Sequence, residues 1–492
     1  MMPPGCEVDG DGHLASAGHD LTDLAARFGT PLYIFNEEVI RARCRAYRHA
    51  FATYAPGVRV AYAGKAFLTT AMAALIAEEG LHLDVVSGGE LQTALSGGMP
   101  AERIHFHGNN KLPAEVEFAL TAGIGCTVID NFYELDLVAD TAARLHQRAD
   151  VLLRVAPGVE AHAHAYMQTG KQDSKFGFDL ESGQALAAAR LVIERPSLRL
   201  RGLHAHIGSQ LLDTAAYTIE VARLITLAAA IRRDCDAEIH ELNIGGGLGI
   251  RYVDDDVPPE PDAVADAVIA AVTTGCRAHD LPLPVLACEP GRSIVGPAGI
   301  ALYTVGASKR VPGLTPYVAV DGGMGDNIRP ALYGATYTVV VANRMHQPHT
   351  ERVHVVGRYC ESGDFLAKDA PVPELRPGDL LAFFGAGAYQ LPMASNYNRV
   401  PRPAAVLVSQ GHADLILARE SVEDLLRQDR MPEHLARAGA GARGPGQRDA
   451  AASASPRTGS DTAASASPPN GISSSASPGT RAAGADGAGG NP

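Results

Sequence analysis

A single lysine, Lys65, stands near the end of the short apolar run VAYAGKAF, and the helix-like stretch LTTAMAALIAEEG follows it. A lysine in this position either extends its ammonium group into water or is kept for covalent chemistry. A partly desolvated amine loses its proton easily and becomes a nucleophile. Taken alone, the stretch favours a solvated lysine, so the other motifs must decide whether Lys65 is catalytic.

Histidines supply a second set of candidates. His204 and His206 lie two residues apart in LHAHIGSQ and therefore share one face of a strand. The spacing fits a metal-binding pair, and it equally fits a histidine lying flat on an aromatic cofactor whose phosphate accepts from Ser209. It also fits two structural histidines, and spacing does not separate these interpretations. Two more, His162 and His164, lie in a stretch whose composition predicts an exposed loop.

A glycine-rich motif, NIGGGLGI, follows a β-like run at residues 243–250. Glycine turns allow backbone N–H groups to approach a phosphate closely. The spacing is not that of a dinucleotide-binding fingerprint, and no acidic residue follows at the expected distance. The motif therefore indicates a phosphate-binding loop or, alternatively, a tight turn.

A glutamate and an arginine, Glu289 and Arg292, follow another β-like run in CEPGRSIVG. A glutamate buried at the end of a strand needs a partner, because an isolated buried charge is costly. A protonated pyridine nitrogen would serve as that partner. An ion pair with Arg292 is the structural alternative.

Two later motifs carry further candidates. RPALYG places Arg329 four residues before Tyr333, and arginine binds carboxylates through two parallel hydrogen bonds. RYCESGDFL places Cys360 beside Glu361 after a β-like run. A hydrophobic cysteine is the ordinary interpretation of Cys360 when the motif is taken alone.

Composition and charge limit the classes of partner. The chain has 492 residues, of which 46% are hydrophobic and 20% charged, as is typical of a soluble protein with two or more domains. A net charge of −13 argues against a nucleic-acid or anionic-membrane partner. We find no apolar run that could span a bilayer and no secretory signal. Seven cysteines without a CxxC pair predict neither zinc nor disulfides and suit a reducing cytoplasm.

Eight β-like runs alternate with helix-like stretches over residues 37–303. This alternation predicts an α/β fold with a parallel sheet covered by helices, and the number of runs fits a TIM-like (β/α)8 barrel. Candidate residues follow the runs, where barrel enzymes place their chemistry: Lys65, Asp84, His107, His206, Gly245 and Glu289. The runs are VRVAYAGK, LHLDVVSG, RIHFHG, CTVID, DVLLRVAPG, LRGLHAHIG, HELNIGGG and LPVLACEPG.

The pattern changes after the eighth run. Residues 304–435 contain β-like runs separated by turns, which predicts a mainly antiparallel β domain. We expect the early strand PLYIFN to join it, so that residues 1–36 belong partly to this domain. Residues 436–492 have no aromatic side chain and one large aliphatic, so they predict a disordered low-complexity tail.

Taken in order, these motifs resemble the pyridoxal-phosphate-dependent decarboxylases of the alanine-racemase fold, or fold type III. The resemblance covers about residues 29–426 and is specific because many motifs occur together in sequence. Within the family it looks like the enzymes that act on diaminopimelate. The motifs are YAGKAF, LDVVSGGEL, HGNNK, GVEAHAHAY, KFGF, GLHAHIGSQ, NIGGGLGI, EPGRSIVGP, DGGMGDNIRPALYGA, CESGDFL, GAGAY and YNRVPRP.

The resemblance implies roles for individual residues. Lys65 matches the lysine that binds pyridoxal phosphate through a Schiff base, Glu289 the partner of the pyridine nitrogen, and Cys360 the proton donor. The sequence departs from many relatives at Phe67, where we expect altered packing near the cofactor. The other implied cofactor contacts are Asp84, His107, His206, which stacks on the ring, Ser209, Gly245, Gly246, Gly247, Gly291, Arg292 and Tyr389.

The resemblance also implies decarboxylation of meso-2,6-diaminopimelate to L-lysine and CO2, the last step of lysine biosynthesis. This substrate carries a second amino-acid group, whose carboxylate would bind Arg292, Arg329 and Tyr333, with Tyr389 alongside. Its distal ammonium group would bind Glu361. Ornithine has no distal carboxylate, so two arginines agree with diaminopimelate.

In the family, the cysteine and glutamate that match Cys360 and Glu361 reach the active site of the partner chain. The resemblance therefore implies a cytoplasmic homodimer with shared active sites and no metal ion. Three alternatives stay open: a decarboxylase of another basic or diacidic amino acid, a metallohydrolase using His204, His206 and Lys65, and a catalytically inactive binding relative. A substrate panel, metal analysis and turnover separate them.

Overall fold

The structure is a computed structural model that describes residues 2–159 and 174–440. It divides into two compact units, Met1–Gln428 and Asp429–Pro492, and each is described by itself. All of the strands and all but one of the helices described below lie in the first unit.

Two expectations fall wholly or partly on undescribed residues. His162 and His164, predicted to lie in an exposed loop, are outside the described residues. Most of the predicted tail, from residue 441 onward, is outside them too, while a helix over Glu433–Ala440 crosses the expected start of the tail at residue 436.

The chain begins with a small antiparallel sheet of three strands, β1 (Cys6–Val8), β2 (Leu14–Ser16) and β3 (His19–Asp20). Helix α1 (Leu21–Phe28) follows, and the carboxylate of its capping residue Asp20 accepts the N–H of Thr22. Strand β4 (Leu32–Asn36) is buried along its whole length. An all-buried strand is typical of the middle of a covered sheet.

Eight of the described strands close into a parallel barrel, which confirms the predicted TIM-like fold. Each β-like run forms one barrel strand, and the ladder between β8 and β9 completes the ring. A two-residue strand, β10, pairs with β9 outside it. The strands are β5 (Val58–Ala63), β6 (His82–Val85), β7 (Ile104–Phe106), β8 (Cys126–Ile129), β9 (Ala149–Ala156), β10 (Phe178–Asp179), β11 (Leu198–Ala205), β12 (Glu241–Asn243) and β13 (Val285–Cys288).

Helices connect these strands, and side chains supplied by the sequence cap several of them. Asn36, Thr69, Ser87 and Asn131 each accept a backbone N–H from the first turn of the helix that they precede. Within the described residues, we find no helix both long and apolar enough to cross a membrane. The helices are α2 (Glu37–Ala50), α3 (Thr70–Glu78), α4 (Gly88–Ser96), α5 (Pro113–Ala122), α6 (Phe132–Arg144), α7 (Gln184–Glu194), α8 (Ala215–Cys235), α9 (Pro261–Ala278) and α10 (Arg292–Val295).

The remaining strands form a second sheet in which antiparallel ladders predominate, as predicted, although β15–β17 and β4–β20 are parallel. Strand β4 lies in the middle of this sheet, between β14 and β20. Because β14 begins at Gly299, the sheet starts a few residues before the expected boundary at 303, and the four-part division of the chain stays a prediction. The elements are β14 (Gly299–Lys309), β15 (Tyr317–Val320), α11 (Arg329–Tyr333), β16 (Val339–Val341), β17 (Glu351–Val356), β18 (Phe365–Val372), β19 (Leu380–Phe384), β20 (Ala404–Ser409), β21 (His412–Leu417) and α12 (Val422–Leu426), with α13 (Glu433–Ala440) in the second unit.

The second sheet contacts the barrel at the turn that carries Lys65. The ring of Phe35 on β4 stacks on the ring of Phe67, with centroids 4.1 Å apart. The N–H of Tyr389 donates to the carbonyl oxygen of Ala66 at 2.9 Å. Phe67 therefore packs on the second sheet. This contact helps to hold the turn of Lys65 in place.

A buried ion pair fixes the loop between β7 and α5. Lys111 Nζ donates to the carbonyl oxygens of Gly108 and Val128 at 2.9 and 2.7 Å, and to Glu134 Oε1 at 2.5 Å. Both charged side chains are almost fully excluded from solvent. Because every proton of the ammonium group is used, the loop is held in one conformation, and its residue Asn109 forms part of the cavity wall described below.

Glu220 on α8 is a buried acid without a counter-charge. It is fully excluded from solvent, and neither carboxyl oxygen has a hydrogen-bond partner among the described residues. Burial, aided by the negative charge of Glu289, raises the pKa of Glu220 well above its ordinary value of 4.5. The folded chain therefore holds the proton of Glu220 to a higher pH than the unfolded chain does.

We expect Glu220→Gln to stabilise the chain progressively as the pH rises. Above pH 4.5 folding of the wild type must take up a proton, which costs about 1.4 kcal/mol per pH unit until the folded-state pKa is reached. Urea unfolding at about pH 5, 6 and 7 measures this difference. The exposed Glu238→Gln is the control, and a stability difference at Glu220 that does not change with pH would contradict the assignment.

Candidate active site

A cavity of about 410 Å³ opens at the carboxyl ends of the barrel strands, where barrel enzymes bind their substrates. It brings together most of the predicted cofactor residues. Those that line it are Lys65, Asp84, His107, His206, Ser209, Gly246, Gly247, Glu289, Gly291, Arg292 and Tyr389.

Lys65 lies in the single 3-10 turn Gly64–Ala66 directly after β5. The turn packs tightly against the chain after β13, because a Cβ on Gly291 would lie 3.0 Å from the Cβ atoms of Ala63 and Ala66. The residues on either side of Lys65 are buried, whereas its own side chain is exposed and lines the cavity. The amine is thus presented to a ligand from a rigid base.

Glu289 follows β13 and forms part of the cavity floor. Its Oε1 accepts from Asn243 Nδ2 at 2.7 Å and lies 3.3 Å from His107 Nε2, while Oε2 lies 3.1 Å from His204 Nε2. Burial disfavours a charge here, but His204 and His107 outweigh it and hold the pKa of Glu289 well below its ordinary range. The floor therefore carries a lasting negative charge.

Asp84 and His107 lie beside Glu289. The sequence placed Asp84 after a strand, which is wrong because β6 extends to Val85. His107 Nε2 lies 3.6 Å from Asp84 Oδ1. Burial opposes a charge on His107, but Glu289 and Asp84 raise its pKa to about 9. Burial and the charge of Glu289 raise the pKa of Asp84 to about 7.

The two histidines of LHAHIGSQ have different partners. His206 follows β11, and its Nδ1 accepts the N–H of Gly246 at 3.3 Å. Burial and the positive charge of Lys65 lower the pKa of His206 well below its ordinary value, so its ring is neutral. His204 lies within β11 and faces Glu289 instead. This arrangement favours a flat neutral ring beside a cofactor over a metal-binding pair.

The glycine motif lines part of the cavity with backbone atoms, at Gly246 and Gly247. A Cβ on Gly246 would lie 2.2 Å from the carbonyl oxygen of Glu289, and one on Gly247 would lie 2.6 Å from that of Gly208. Gly247 also has a φ of +110°, which disfavours other residues. Gly245 lies behind the wall, where its N–H donates to Asn243 Oδ1 at 2.9 Å. Such a loop suits a phosphate group.

Arg292 lies next to this loop at the start of α10. One of its Nη atoms donates to Ser209 Oγ at 2.8 Å, and the other donates to the hydroxyl of Tyr252. Its guanidinium carbon lies 4.8 Å from the centre of the Tyr389 ring. The alternative of an ion pair with Glu289 is not observed, because Glu289 faces histidines.

Arg329 and Tyr333 lie outside the cavity wall but close to it. Arg329 is buried at the start of α11, and its Nε donates to the hydroxyl of Tyr337 at 2.9 Å. Its guanidinium carbon lies 5.5 Å from the centre of the Tyr333 ring and 5.8 Å from that of Tyr389. Tyr389 thus lies between Arg292 and Arg329.

Cys360 and Glu361 are exposed and do not line the cavity. The N–H of Cys360 donates to Asn398 Oδ1 at 2.9 Å, and its carbonyl oxygen accepts from the hydroxyl of Tyr397 at 3.4 Å. The Tyr397 ring in turn stacks on the ring of Tyr359, with centroids 6.1 Å apart. The thiol is therefore presented on an ordered outer surface.

The sequence missed three residues of the site. Arg154 on β9 lines the cavity and lies over the ring of Phe176, 4.3 Å from its centre. Like Lys65, it is a single charge in an apolar run, and that signal could have found it. The local sequence around Asn243 and Tyr252 does not indicate a functional role, because their roles depend on contacts with the distant residues Glu289 and Arg292.

Comparison with known proteins agrees with this geometry. Residues 37–296 match the family model described as the pyridoxal binding domain of pyridoxal-dependent decarboxylases. The diaminopimelate decarboxylase of Bacillus subtilis is 49% identical over 418 residues, or 85% of this chain and 95% of that protein. The enzyme of Mycobacterium tuberculosis is 44% identical over 87% of this chain and 97% of that protein.

A solved structure is also similar. Diaminopimelate decarboxylase from M. jannaschii, in complex with L-lysine, matches with a TM-score of 0.83 and 36% identity. The match covers 88% of this chain and all of that chain, at 100%. This chain therefore belongs to the pyridoxal-dependent decarboxylases, and within them to the diaminopimelate decarboxylases.

The residues of the cavity fit pyridoxal phosphate, the cofactor of this family. Lys65 supplies an amine, and Glu289 supplies a charged carboxylate on the floor. The bare backbone at Gly246 lies beside Ser209 and Arg292. Among the described residues, the guanidinium of Arg292 has aromatic and hydroxyl neighbours but no carboxylate, so an anionic ligand would complete its surroundings.

We expect Gly246→Ala to weaken cofactor binding by at least about tenfold, because the new Cβ would displace both the loop and Glu289. Absorbance titration of the cofactor-free protein with pyridoxal phosphate gives the dissociation constant. Gly89→Ala is the control, since the nearest atom to its Cβ would be Ser87 Oγ at 3.7 Å. Wild-type affinity in a folded Gly246→Ala variant would contradict the assignment of the loop.

Proposed function

We propose that this chain decarboxylates meso-2,6-diaminopimelate to L-lysine and CO2, the final step of lysine biosynthesis. The observation that carries the proposal is a pair of buried guanidinium groups, those of Arg292 and Arg329, on either side of Tyr389. Neither has a carboxylate partner among the described residues, and two buried cations need two anions. A cofactor phosphate and a distal substrate carboxylate would supply them.

Pyridoxal phosphate, when bound, supplies the electron-accepting ring that loss of CO2 from an amino acid requires. Lys65 Nζ would hold the cofactor covalently, and Ser209, Arg292 and the loop at Gly246 would bind its phosphate. The charged carboxylate of Glu289 would keep a proton on the ring nitrogen, since opposite charges within a few ångströms favour the charged form. The neutral ring of His206 would cover one face and exclude water.

Substrate choice is assigned to the outer end of the cavity. Arg329 and Tyr333, with Arg292, would bind the distal carboxylate, and Glu361 would bind the distal ammonium group. The planar guanidinium suits a carboxylate through two hydrogen bonds. A diamine precursor such as ornithine would leave Arg329 unpaired, which disfavours the alternative substrate class.

The proton donor comes from a second subunit in this proposal. Cys360 and Glu361 are exposed on an ordered surface and do not line the cavity of their own chain. Cys360 Sγ of the partner subunit would deliver a proton to the substrate carbon from one face. We therefore propose a homodimer with two shared sites. A cytoplasmic location is supported by seven unpaired cysteines.

The test measures lysine formation from meso-diaminopimelate, with and without added pyridoxal phosphate, and with ornithine and arginine as comparison substrates. We expect Lys65→Ala to lose the visible absorbance of bound cofactor and at least about a thousandfold in kcat/KM. The exposed Lys309→Ala is the matched control. Borohydride reduction and mass spectrometry should place the adduct on Lys65, and turnover of ornithine alone would overturn the substrate.

Shared sites predict complementation between inactive variants. A homodimer of either variant, Lys65→Ala or Cys360→Ala, has two inactive sites. A mixed dimer has one complete site, because that site takes Lys65 from one subunit and Cys360 from the other. Random exchange of subunits should restore about a quarter of wild-type activity, as two-fold symmetry requires. No recovery on mixing, with exchange shown by mass, would mean that Cys360 serves its own chain or has no role.

A further inference from the structure

Beneath the cavity floor, titratable side chains continue down the inside of the barrel. His82 and Asp84 share a face of β6, and His105 on β7 pairs in register with Asp84. His105 Nδ1 lies 3.6 Å from Asp84 Oδ1, the same oxygen that lies 3.6 Å from His107 Nε2. One carboxylate oxygen thus stands between two imidazole nitrogens. Of the two histidines, His107 lines the cavity and His105 does not.

We call these four residues the histidine–aspartate column: His82, Asp84, His105 and His107. The rings of His82 and His105 have centroids 5.2 Å apart. Within the described residues, both oxygens of Asp84, Nδ1 of His82 and of His105, and Nε2 of His107 have no hydrogen-bond partner. An unsatisfied buried polar atom costs about 1–3 kcal/mol, so hydrophobic packing does not explain this grouping.

Charges face the column from several elements. Burial and the neighbouring His82 lower the pKa of His105 well below its ordinary value, and burial and Arg59 lower that of His82 to about 4. Both rings are therefore neutral, and each carries one proton on one nitrogen. The titratable and charged groups that act on the column from other elements are Arg59, Lys65, Glu90, Arg103, Asp130, Arg201, His204 and Glu289.

We propose that His105 is a positioning residue, whose Nδ1–H points at Asp84 Oδ1 and keeps Asp84 an anionic acceptor, so that the proton shared by Asp84 and His107 stays on His107. His107 Nε2 then supports the negative charge of Glu289, 3.3 Å away. The inference deepens the proposed function and rests on it, because the charge of Glu289 matters through the cofactor ring.

The proton balance is simple. One proton moves between Asp84 Oδ1 and His107 Nε2, and the pair neither gains nor loses a proton overall. Without the donor on His105, the Asp84 carboxylate loses a favourable neighbour, so the proton is held less firmly on His107 and His107 loses it at a lower pH. Glu289 then keeps its positive neighbour His107 over a narrower range of pH.

Two polar substitutions test this arrangement. Asparagine can place an amide N–H where histidine has Nδ1, whereas glutamine places it where histidine has Nε2. We expect His105→Gln to lower the titration midpoint of His107 by at least about one pH unit, and His105→Asn to leave it within about 0.3 unit. Ring nitrogen-15 shifts in the cofactor-free full chain report this midpoint, with His107→Asn used to assign the signal.

The same pair predicts the pH profile of the holoenzyme. In His105→Gln the alkaline limb of kcat/KM, where His107 loses its proton, should move to lower pH by about one unit, while His105→Asn should keep the wild-type limb. A merely structural role would change stability in both variants and move neither midpoint. Equal shifts in the two variants, or an unchanged His107 midpoint in His105→Gln, would overturn the proposal.

A further variant keeps the test decisive if His105→Gln does not fold. Asp84→Asn removes the anionic acceptor itself and should also lower the midpoint of His107 by about one unit. The nitrogen-15 measurement needs neither substrate nor cofactor. It therefore separates failure of this inference from failure of the proposed function, which lysine formation tests.

Discussion

The active site depends on keeping one carboxylate charged inside the barrel. Glu289 lies on the cavity floor, where burial alone would favour its neutral form. Two histidines and an asparagine amide surround its oxygens, and each comes from a different strand end. The closed barrel brings these three side chains within 2.7 to 3.3 Å of the Glu289 carboxylate oxygens. The charge of Glu289 therefore depends directly on closure of the barrel.

Patterns of local sequence predicted most of the architecture. All eight β-like runs form barrel strands, since short apolar runs between turn residues leave little choice of structure. Even the early strand PLYIFN could be assigned to the second sheet, because it stands before the first barrel helix. Lys65, Glu289 and the glycine loop were visible because a charge or a glycine cluster at the end of an apolar run is unusual.

Pairings over long distances in the chain could not be predicted. Arg292 was expected to have Glu289 as its alternative partner, three residues away, yet it contacts Ser209 and Tyr252. Asn243 and His204 contact Glu289 only once the barrel is closed. Sequence spacing describes neighbours on one strand, whereas the site is made of neighbours around the ring.

The central position of β4 has a consequence for synthesis on the ribosome. This apolar strand emerges near the start of translation, but its two partners, β14 and β20, lie more than 260 residues later in the chain. The barrel between them can assemble first, while the strand waits with both edges unpaired. The newly made chain therefore carries an exposed apolar strand for most of its elongation, a period in which it can associate with other unfinished chains.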